Sequence, residues 1–287
     1  MKNRKKLKIF DIVLYIVMTI LGFITLIPVL KVVAEALSDP RYVVLGDVGI
    51  FPKGFTLDTV GYVLKKPEFL NSFKVTVIIT IGGTLLSMVL TVLAAYPLSK
   101  PDLRGRKFFL YIFVFIMLFH AGMVPKYLLF RSLNLINTIW ALIFSSAFSV
   151  FNLFVVKNYY EGLPESIEEA AKIDGASNTK ILLRVVLPMS SPVLATVTLF
   201  YGVGYWNSYF SGIMYITDPK LKSLQQYLYD LIKATSATDL SAVDAEALAT
   251  LSGDAVRSAT ILVSTVPILI LYPYLQKYFV KGITIGS

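Results

Sequence analysis

The sequence predicts an all-α protein that crosses a membrane six times, and three observations carry that reading. Of 287 residues, 56% are hydrophobic and only 16% charged, with a mean hydropathy of +0.70. A soluble domain carries nearer ~25% charge. The apolar residues gather into blocks close to the ~20 residues that a helix needs to cross hydrocarbon. The period-two alternation of a membrane β-barrel is absent. The same composition excludes intrinsic disorder, which needs low hydrophobicity and high charge. There is no Cys and one His. That excludes disulfides, thiolate chemistry and a multi-histidine metal site.

Six stretches qualify as spans: Ile9–Val33, Ser72–Leu98, Phe108–Phe130, Ile139–Asn158, Met189–Tyr215 and Val256–Tyr278. Each is expected to be a helix, because a helix satisfies its own backbone polar groups in lipid. A cleaved signal peptide is the rival reading of the first, with Ala34-Glu35-Ala36 resembling a cleavage site. Its apolar stretch exceeds the usual ~7–15 residues, so an uncleaved first helix is expected. Residues 38–71 contain Pro40, Pro52, Gly54 and Pro67 and read as an irregular loop. Residues 219–233 place Leu221, Leu224, Leu228, Leu231 and Ile232 on one helical face. That stripe suits a helix lying on the membrane surface or one packed on the bundle.

Charge sets the expected orientation. The net charge is +9 and the isoelectric point about 9.4, but no basic stripe on a soluble face points to nucleic acid. Lys2, Arg4, Lys5, Lys6 and Lys8 precede the first span, and Lys100, Arg104, Arg106 and Lys107 fill the second loop. Lys157, Lys172, Lys180 and Arg184 lie in or beside the fourth loop, and Lys277 and Lys281 close the last span. These 15 of the 27 basic residues fall on one side, which the positive-inside rule makes cytoplasmic, with both termini inside. The opposite loops are more acidic, with Asp39, Asp47, Asp58, Glu68, Asp218, Asp230, Asp239, Asp244 and Glu246.

The fourth loop has the most shape. It reads Leu163-Pro164-Glu165-Ser166-Ile167-Glu168-Glu169-Ala170-Ala171-Lys172-Ile173-Asp174-Gly175. Ser166 followed by Glu169 predicts a capping box, and Gly175 a C-terminal stop, for a helix over 167–174. Ser177 is placed to cap a second helix, which Leu187-Pro188 should end as the fifth span opens. A short capped helix along a membrane surface suits docking of another subunit; a solvated connector is the plainer alternative.

Glu169-Ala170-Ala171, then Gly175, Val185 and Leu187-Pro188 at their spacing resemble the EAA signature. That signature marks the membrane subunits of binding-protein-dependent ABC importers. Val185 stands where Ile is usual, a change between two β-branched apolar residues. Asn71-Ser72-Phe73, Ala94-Ala95-Tyr96-Pro97-Leu98-Ser99 and Gly105-Arg106-Lys107 are similar to the start of the same permease domain. The six-span plan resembles the smaller carbohydrate permease of such importers. His120-Ala121-Gly122-Met123-Val124-Pro125-Lys126-Tyr127 and Leu133-Asn134-Leu135-Ile136-Asn137-Thr138 resemble a subgroup importing oligosaccharides and polysaccharide fragments.

The resemblance implies a type I ABC importer fold. Its permease domain would cover residues 67–282 and its coupling loop about 161–188. Residues 1–66 would hold the cytoplasmic tail, first helix and external loop, and 283–287 a tail that relatives often extend by a few basic residues. It also implies a second homologous permease subunit, two ABC ATPase subunits and an extracellular solute-binding protein. The carbohydrate substrate would cross a chain embedded in membrane lipid. ATP and Mg would reside in the ATPases, with no cofactor, metal or covalent catalysis in this chain. Glu168, Glu169, Ala170, Ala171, Asp174, Gly175, Leu187 and Pro188 would couple to the ATPase.

Independently, no phosphate-binding loop is present, and Gly202-Val203-Gly204 lies in an apolar span where helix packing explains it. The alternative class is an ion-coupled secondary carrier, which needs ionisable groups near mid-membrane. Lys31, Glu35, Lys74, Lys126, Asp254 and Arg257 all lie near span ends, leaving only His120. A sugar path calls for aromatic faces with amides and hydroxyls. Asn152 and the run Tyr201, Tyr205, Trp206, Asn207, Ser208 and Tyr209 supply them, unless they form an interfacial aromatic belt.

Overall fold

The structure is a computed structural model that describes residues 9–119, 121–236 and 252–283. The basic residues Lys2, Arg4, Lys5, Lys6 and Lys8, the single His120, and Asp239, Asp244 and Glu246 lie outside them. Among the described residues the chain is helical without strands. The helices are α1 (Ile9–Ala36), α2 (Pro40–Val44), α3 (Asp58–Lys65), α4 (Pro67–Leu98), α5 (Arg106–Leu118), α6 (Met123–Ser132), α7 (Ile139–Phe144) and α8 (Val150–Glu161). There follow α9 (Glu165–Ile173), α10 (Asn178–Ile181), a π turn (Leu182–Val186), α11 (Leu187–Met189), α12 (Ser191–Trp206), α13 (Phe210–Tyr215), α14 (Leu224–Ser236) and α15 (Gly253–Ile283). By length and composition three helical stretches can cross a bilayer, Val13–Ala36, Pro67–Leu98 and Gly253–Ile270; counting each bent pair as one span gives five.

Three expected spans are broken, each for a local reason. Phe108–Phe130 is divided between α5 and α6, with Gly122 at φ +73° immediately before α6. Ile139–Asn158 is divided between α7 and α8, of 6 and 12 residues. Both begin on a capping hydroxyl: Thr138 accepts from the Ala141 amide, and Ser149 from the Asn152 amide. Ser145 and Ser149 punctuate the break because serine hydroxyls compete with helical hydrogen bonds. The expected span Met189–Tyr215 is divided between α12 and α13, and a bend of 84° at Ser190 separates α12 from α11. So Leu187-Pro188 does not end the preceding helix; that helix continues to Met189 through a π turn.

The chain divides into two compact units. The first comprises residues 1–66 and 228–266. Its α1 is exposed over nearly all its apolar length, from Phe10 to Leu30. At its C-terminal end Ala34 packs with Val43, Val48 and Ala255. Glu35 there accepts a hydrogen bond from Ser258 Oγ at 2.7 Å and lies 3.7 Å from the Lys31 ammonium. The loop expected to be irregular holds α2 and α3, capped in α2 by Asp39. Pro67 opens α4 rather than interrupting it, as suits a residue without a backbone N–H.

The second unit comprises residues 67–227 and 267–287. Here α4 is the central post, with α12 and α8 packed against it and α5 against α8. The main core joins Ala95, Tyr96 and Leu98 of α4 to Leu153, Val156 and Tyr160 of α8 and Val193, Val197 and Tyr201 of α12. Ile181, Leu182 and Val186, from the segment after α9, extend it.

The residues Leu133 to Thr138 that carry the subgroup resemblance form a structural corner. Asn134 and Asn137 both adopt positive φ, +54° and +59°, which Asn tolerates better than other side chains. Asn137 Oδ1 accepts from the amides of Thr217 at 2.6 Å and Asp218 at 3.1 Å. Its own amide donates to the Tyr215 carbonyl at 2.9 Å.

Candidate functional site

The fourth loop builds the predicted short helix, with a different start. α9 begins at Glu165 with Pro164 as N-cap, and no side chain caps it. The predicted Ser166–Glu169 capping box is therefore absent, because both residues already lie inside the helix. Pro164 fixes the entry, and Glu165 and Glu168 place negative charge against the positive helix end. The C-terminal stop is as expected: Gly175 has φ +74°, and the amides of Gly175 and Ala176 close back on the carbonyls of Lys172 and Ala171 at 3.0 Å each. Ser177 caps α10 by accepting from the Lys180 amide.

The faces of α9 are unequal. Ala171 packs on the main core, as do Leu163 and Ala176. Glu168 turns the same way: its side chain is 12% exposed, and both carboxylate oxygens receive hydrogen bonds from Lys100 Nζ. That ammonium sits 4.7 Å above the centre of the Tyr96 ring, a favourable cation–π position. Beside it, Glu161 pairs with Arg106 and with Lys157, the latter at 2.8 Å. Arg106 Nε also donates to the Leu98 carbonyl at 2.9 Å, which ties the α4–α5 turn to the end of α8. A polar recess of about 510 Å³ lies among Lys100, Arg106, Glu161, Glu165, Glu168 and Glu169.

Glu169, Ala170, Asp174 and Gly175 are exposed, and Ile173 is 86% exposed. Thus Glu168 and Glu169, grouped together by sequence, differ in setting: one is paired with Lys100 and the other is exposed. Leu187 packs on the core while Pro188 is exposed.

A second site lies where α8 and α12 flank α4. A cavity of about 430 Å³ is lined by Ser146, Ser149, Phe151, Asn152, Phe200, Tyr201, Gly204 and Tyr205. Its frame follows from spacing. Ser87 and Thr91 are four residues apart on α4, and Tyr201 and Tyr205 four apart on α12, so each pair shares a helix face. Tyr201 Oη and Thr91 Oγ1 share a hydrogen bond of 2.7 Å, and Tyr201 Oη also accepts from the Ser149 amide at 3.1 Å. Tyr205 Oη donates to the Ile143 carbonyl at 2.8 Å and lies 3.1 Å from Ser87 Oγ. The Tyr205 ring lies directly on α4 because Gly83 has no side chain. A Cβ there would stand 2.5 Å from the ring.

Asn152 and Tyr205, both named from sequence as path residues, therefore share one cavity. Asn152 is 5% exposed, and its side-chain amide makes no hydrogen bond to a described residue. Trp206 is not with them. It lines a separate, apolar cavity of about 550 Å³ with Thr80, Thr84, Met88 and Gly202, and meets the Phe73 ring edge-on at 5.9 Å. Asn207 is the exposed C-cap of α12, and Tyr209 is 47% exposed beside Phe210. Sequence reasoning missed Ser146 and Ser149. The clustered serines of 145–149 were the available signal.

The whole chain has known counterparts. Residues 1–285 match the family described as the binding-protein-dependent transport system inner membrane component. Protein LplC of Bacillus subtilis is 40% identical over all of this chain and 97% of its own. The polygalacturonan/rhamnogalacturonan transport system permease protein YtcP of the same organism is 36% identical over all of this chain and 99% of its own. Among solved structures, a chain from a bacterial ABC transporter involved in the import of the acidic polysaccharide alginate superposes with a TM-score of 0.88. It is 34% identical, over 94% of this chain and 96% of that one. The all-helical architecture is accordingly the type I ABC importer membrane fold, and the chain belongs to the binding-protein-dependent transport system inner membrane component family.

Proposed function

We propose that this chain is one of two permease subunits of a carbohydrate ABC importer, and that α9 is its coupling helix. The observation that carries the reading is the split character of α9. One side, through Glu168 and Ala171, is pinned to the bundle. The other, through Glu169, Ala170 and Ile173, is bare, with an isoleucine 86% exposed. A helix held on one side and offering small, acidic and apolar groups on the other suits docking of a partner that drives it. In this reading the partner is a cytoplasmic ABC ATPase, which holds the ATP and Mg. The basic loops support a cytoplasmic position for α9 and both termini.

The exposed apolar length of α1 suits a helix that packs on a second, homologous permease or meets lipid. A relative named as a polygalacturonan/rhamnogalacturonan permease and a structural neighbour from a transporter involved in alginate import support an oligosaccharide or polysaccharide fragment as cargo. An extracellular binding protein would deliver it. Residues 67–282 would act as the permease domain. The cavity at Asn152 and Tyr205 is the part of the path that this reading retains, and Trp206, Asn207 and Tyr209 lie outside its lining. The ion-coupled carrier loses ground to a family defined by its binding proteins.

The test is isolation of the tagged chain from its native membrane in mild detergent, with partner stoichiometry read by mass spectrometry. One second permease and two ATPase copies are expected. The chain alone, or a self-dimer without an ATPase, would overturn the reading.

A further inference from the structure

We infer that Gly204 sets the width of the sugar path, by leaving α12 bare where a sugar ring would stack. The inference rests on reading the Asn152 cavity as that path. Gly202 and Gly204 stand two residues apart on α12, and helix packing is the explanation that their sequence suggests. The structure divides them. Gly202 faces α4: a Cβ there would stand 3.8 Å from Thr84 Oγ1, and the residue lines the apolar cavity with Trp206. Gly204 lines the polar cavity, and a Cβ on it would meet nothing within 4 Å beyond its own stretch of helix. Gly83 is the contrast, a glycine on which a tyrosine ring lies, where a Cβ would stand 2.5 Å from that ring. No described neighbour requires the bare position at 204 in that way. A glycine inside a helix is less stable than an alanine, so Gly204 is a cost that packing within this chain does not explain.

What the bare position adjoins are groups suited to a sugar. Phe200 lies four residues earlier, on the same face of α12. Helical side chains lean toward the N-terminus, so a side chain at 204 would lie back over the turn that carries Phe200. Phe200 is 38% exposed and Phe151 55% exposed, and their ring centroids are 6.5 Å apart with planes inclined at 42°. Both rings line the cavity together with Asn152. Asn152 is 5% exposed, and its side-chain amide has no hydrogen-bond partner among the described residues. A buried amide in that state is costly unless a ligand or water satisfies it. Aromatic faces beside an unmet amide match the two surfaces of a pyranose, its C–H face and its hydroxyl edge, and an apolar wall with a few placed polar groups is the usual make-up of a small-molecule site. A side chain at 204 would take the space that the ring needs.

The chain has no cysteine, so a single introduced one reports on its own site. The experiment uses the complete importer in proteoliposomes with its own binding protein, this chain carrying G204C or G202C. A charged, water-soluble methanethiosulfonate is added, and labelling of this chain is read as a mass shift. The reagent needs a thiolate, which forms in water and not in an apolar setting, so G204C should react at least about tenfold faster than G202C. ATP-driven uptake of a galacturonate trisaccharide by G204C should then fall in steps as the adduct grows from methyl to benzyl, and a reductant that removes the adduct should restore it. G204A should raise the melting temperature by about 2 °C, as an alanine without a clash implies, and yet lower uptake. Three results would overturn the assignment: equal labelling of the two cysteines, a lower melting temperature in G204A, or uptake indifferent to the benzyl adduct. The first two would mean that another helix or lipid covers Gly204. N152L tells the two readings apart. If it lowers uptake and the benzyl adduct does not, the cavity is the path but Gly204 does not set its width; if neither lowers uptake, the cavity reading itself fails.

Discussion

The loop end and the cavity end of the α4–α8–α12 pack are held by different chemistry. At the loop end the ties are ion pairs whose side chains are roughly a tenth to a third exposed: Lys100 with Glu168, and Arg106 and Lys157 with Glu161. Such pairs contribute little each and can be remade in a new geometry. At the cavity end the ties are hydroxyl bonds from Tyr201 and Tyr205, both at most 5% exposed, to Thr91, Ser87 and a main-chain carbonyl. A buried hydroxyl that loses its partner there costs more than an exposed one. The difference assigns motion. On the proposed reading, a partner acting on α9 would meet a lever tied by exchangeable contacts, while the cavity frame has no cheap alternative arrangement.

The largest break is expected at the cavity end. In G83A the new Cβ would meet three Tyr205 ring carbons at 2.5 to 2.7 Å. The ring is boxed in on α4, so overpacking should cost about 1–3 kcal/mol. Gly82 is the control: a Cβ there meets only Ile143 Cδ1, at 3.8 Å. G83A should lower the melting temperature and the yield of monodisperse protein in detergent, and G82A should leave both unchanged. Equal behaviour of the two would mean that the tyrosine frame is looser than its geometry.

The loop end should break differently, in coupling and not in folding. E168K puts two cations together and frees α9 from the bundle. The double variant K100E/E168K restores an ion pair of reversed sign and should recover most of the lost uptake. Glu169 has no partner among the described residues to exchange with, so in E169K uptake should be lost with ATPase activity retained, and no change in this chain's bundle should rescue it. Failure of the swap to rescue, with E169K behaving as wild type, would reverse the roles given to the two faces. G175V bears on the same lever: a β-branched residue at φ +74° should cost about 1–2 kcal/mol, read as reduced uptake per ATP.

How much of this was legible depends on what each feature rests on. Membrane class, helical architecture and the position of α9 follow from hydropathy and spacing, which one sequence displays fully. The breaks at Gly122 and at Ser145–Ser149 do not, because hydropathy averages over the few polar or glycine residues that end a helix. The capping box failed because Pro164, one position ahead of Glu165, started the helix early and drew Ser166 inside. The opposed faces of Glu168 and Glu169 depend on Lys100, 68 residues away, and no local pattern contains that partner. The pairing of Ser87 and Thr91 with Tyr205 and Tyr201 was legible in principle, since both pairs have the same four-residue spacing.

The smallest expected effect separates framing from sugar contact. Tyr205 was named from sequence as a candidate for the sugar path, and its ring does line the cavity. Its hydroxyl, however, is committed to the Ile143 carbonyl and Ser87. Y205F should therefore lose only buried hydrogen bonds. Within a membrane these average about 0.6 and reach about 1.7 kcal/mol, which should appear as a modest fall in melting temperature with KM for the sugar unchanged. N152L should do the reverse, because the Asn152 side-chain amide has no partner among the described residues to lose but lines the cavity. A raised KM in Y205F with no change in stability would transfer the hydroxyl from the frame to the path. The rigid end of the molecule would then be one that the sugar itself opens.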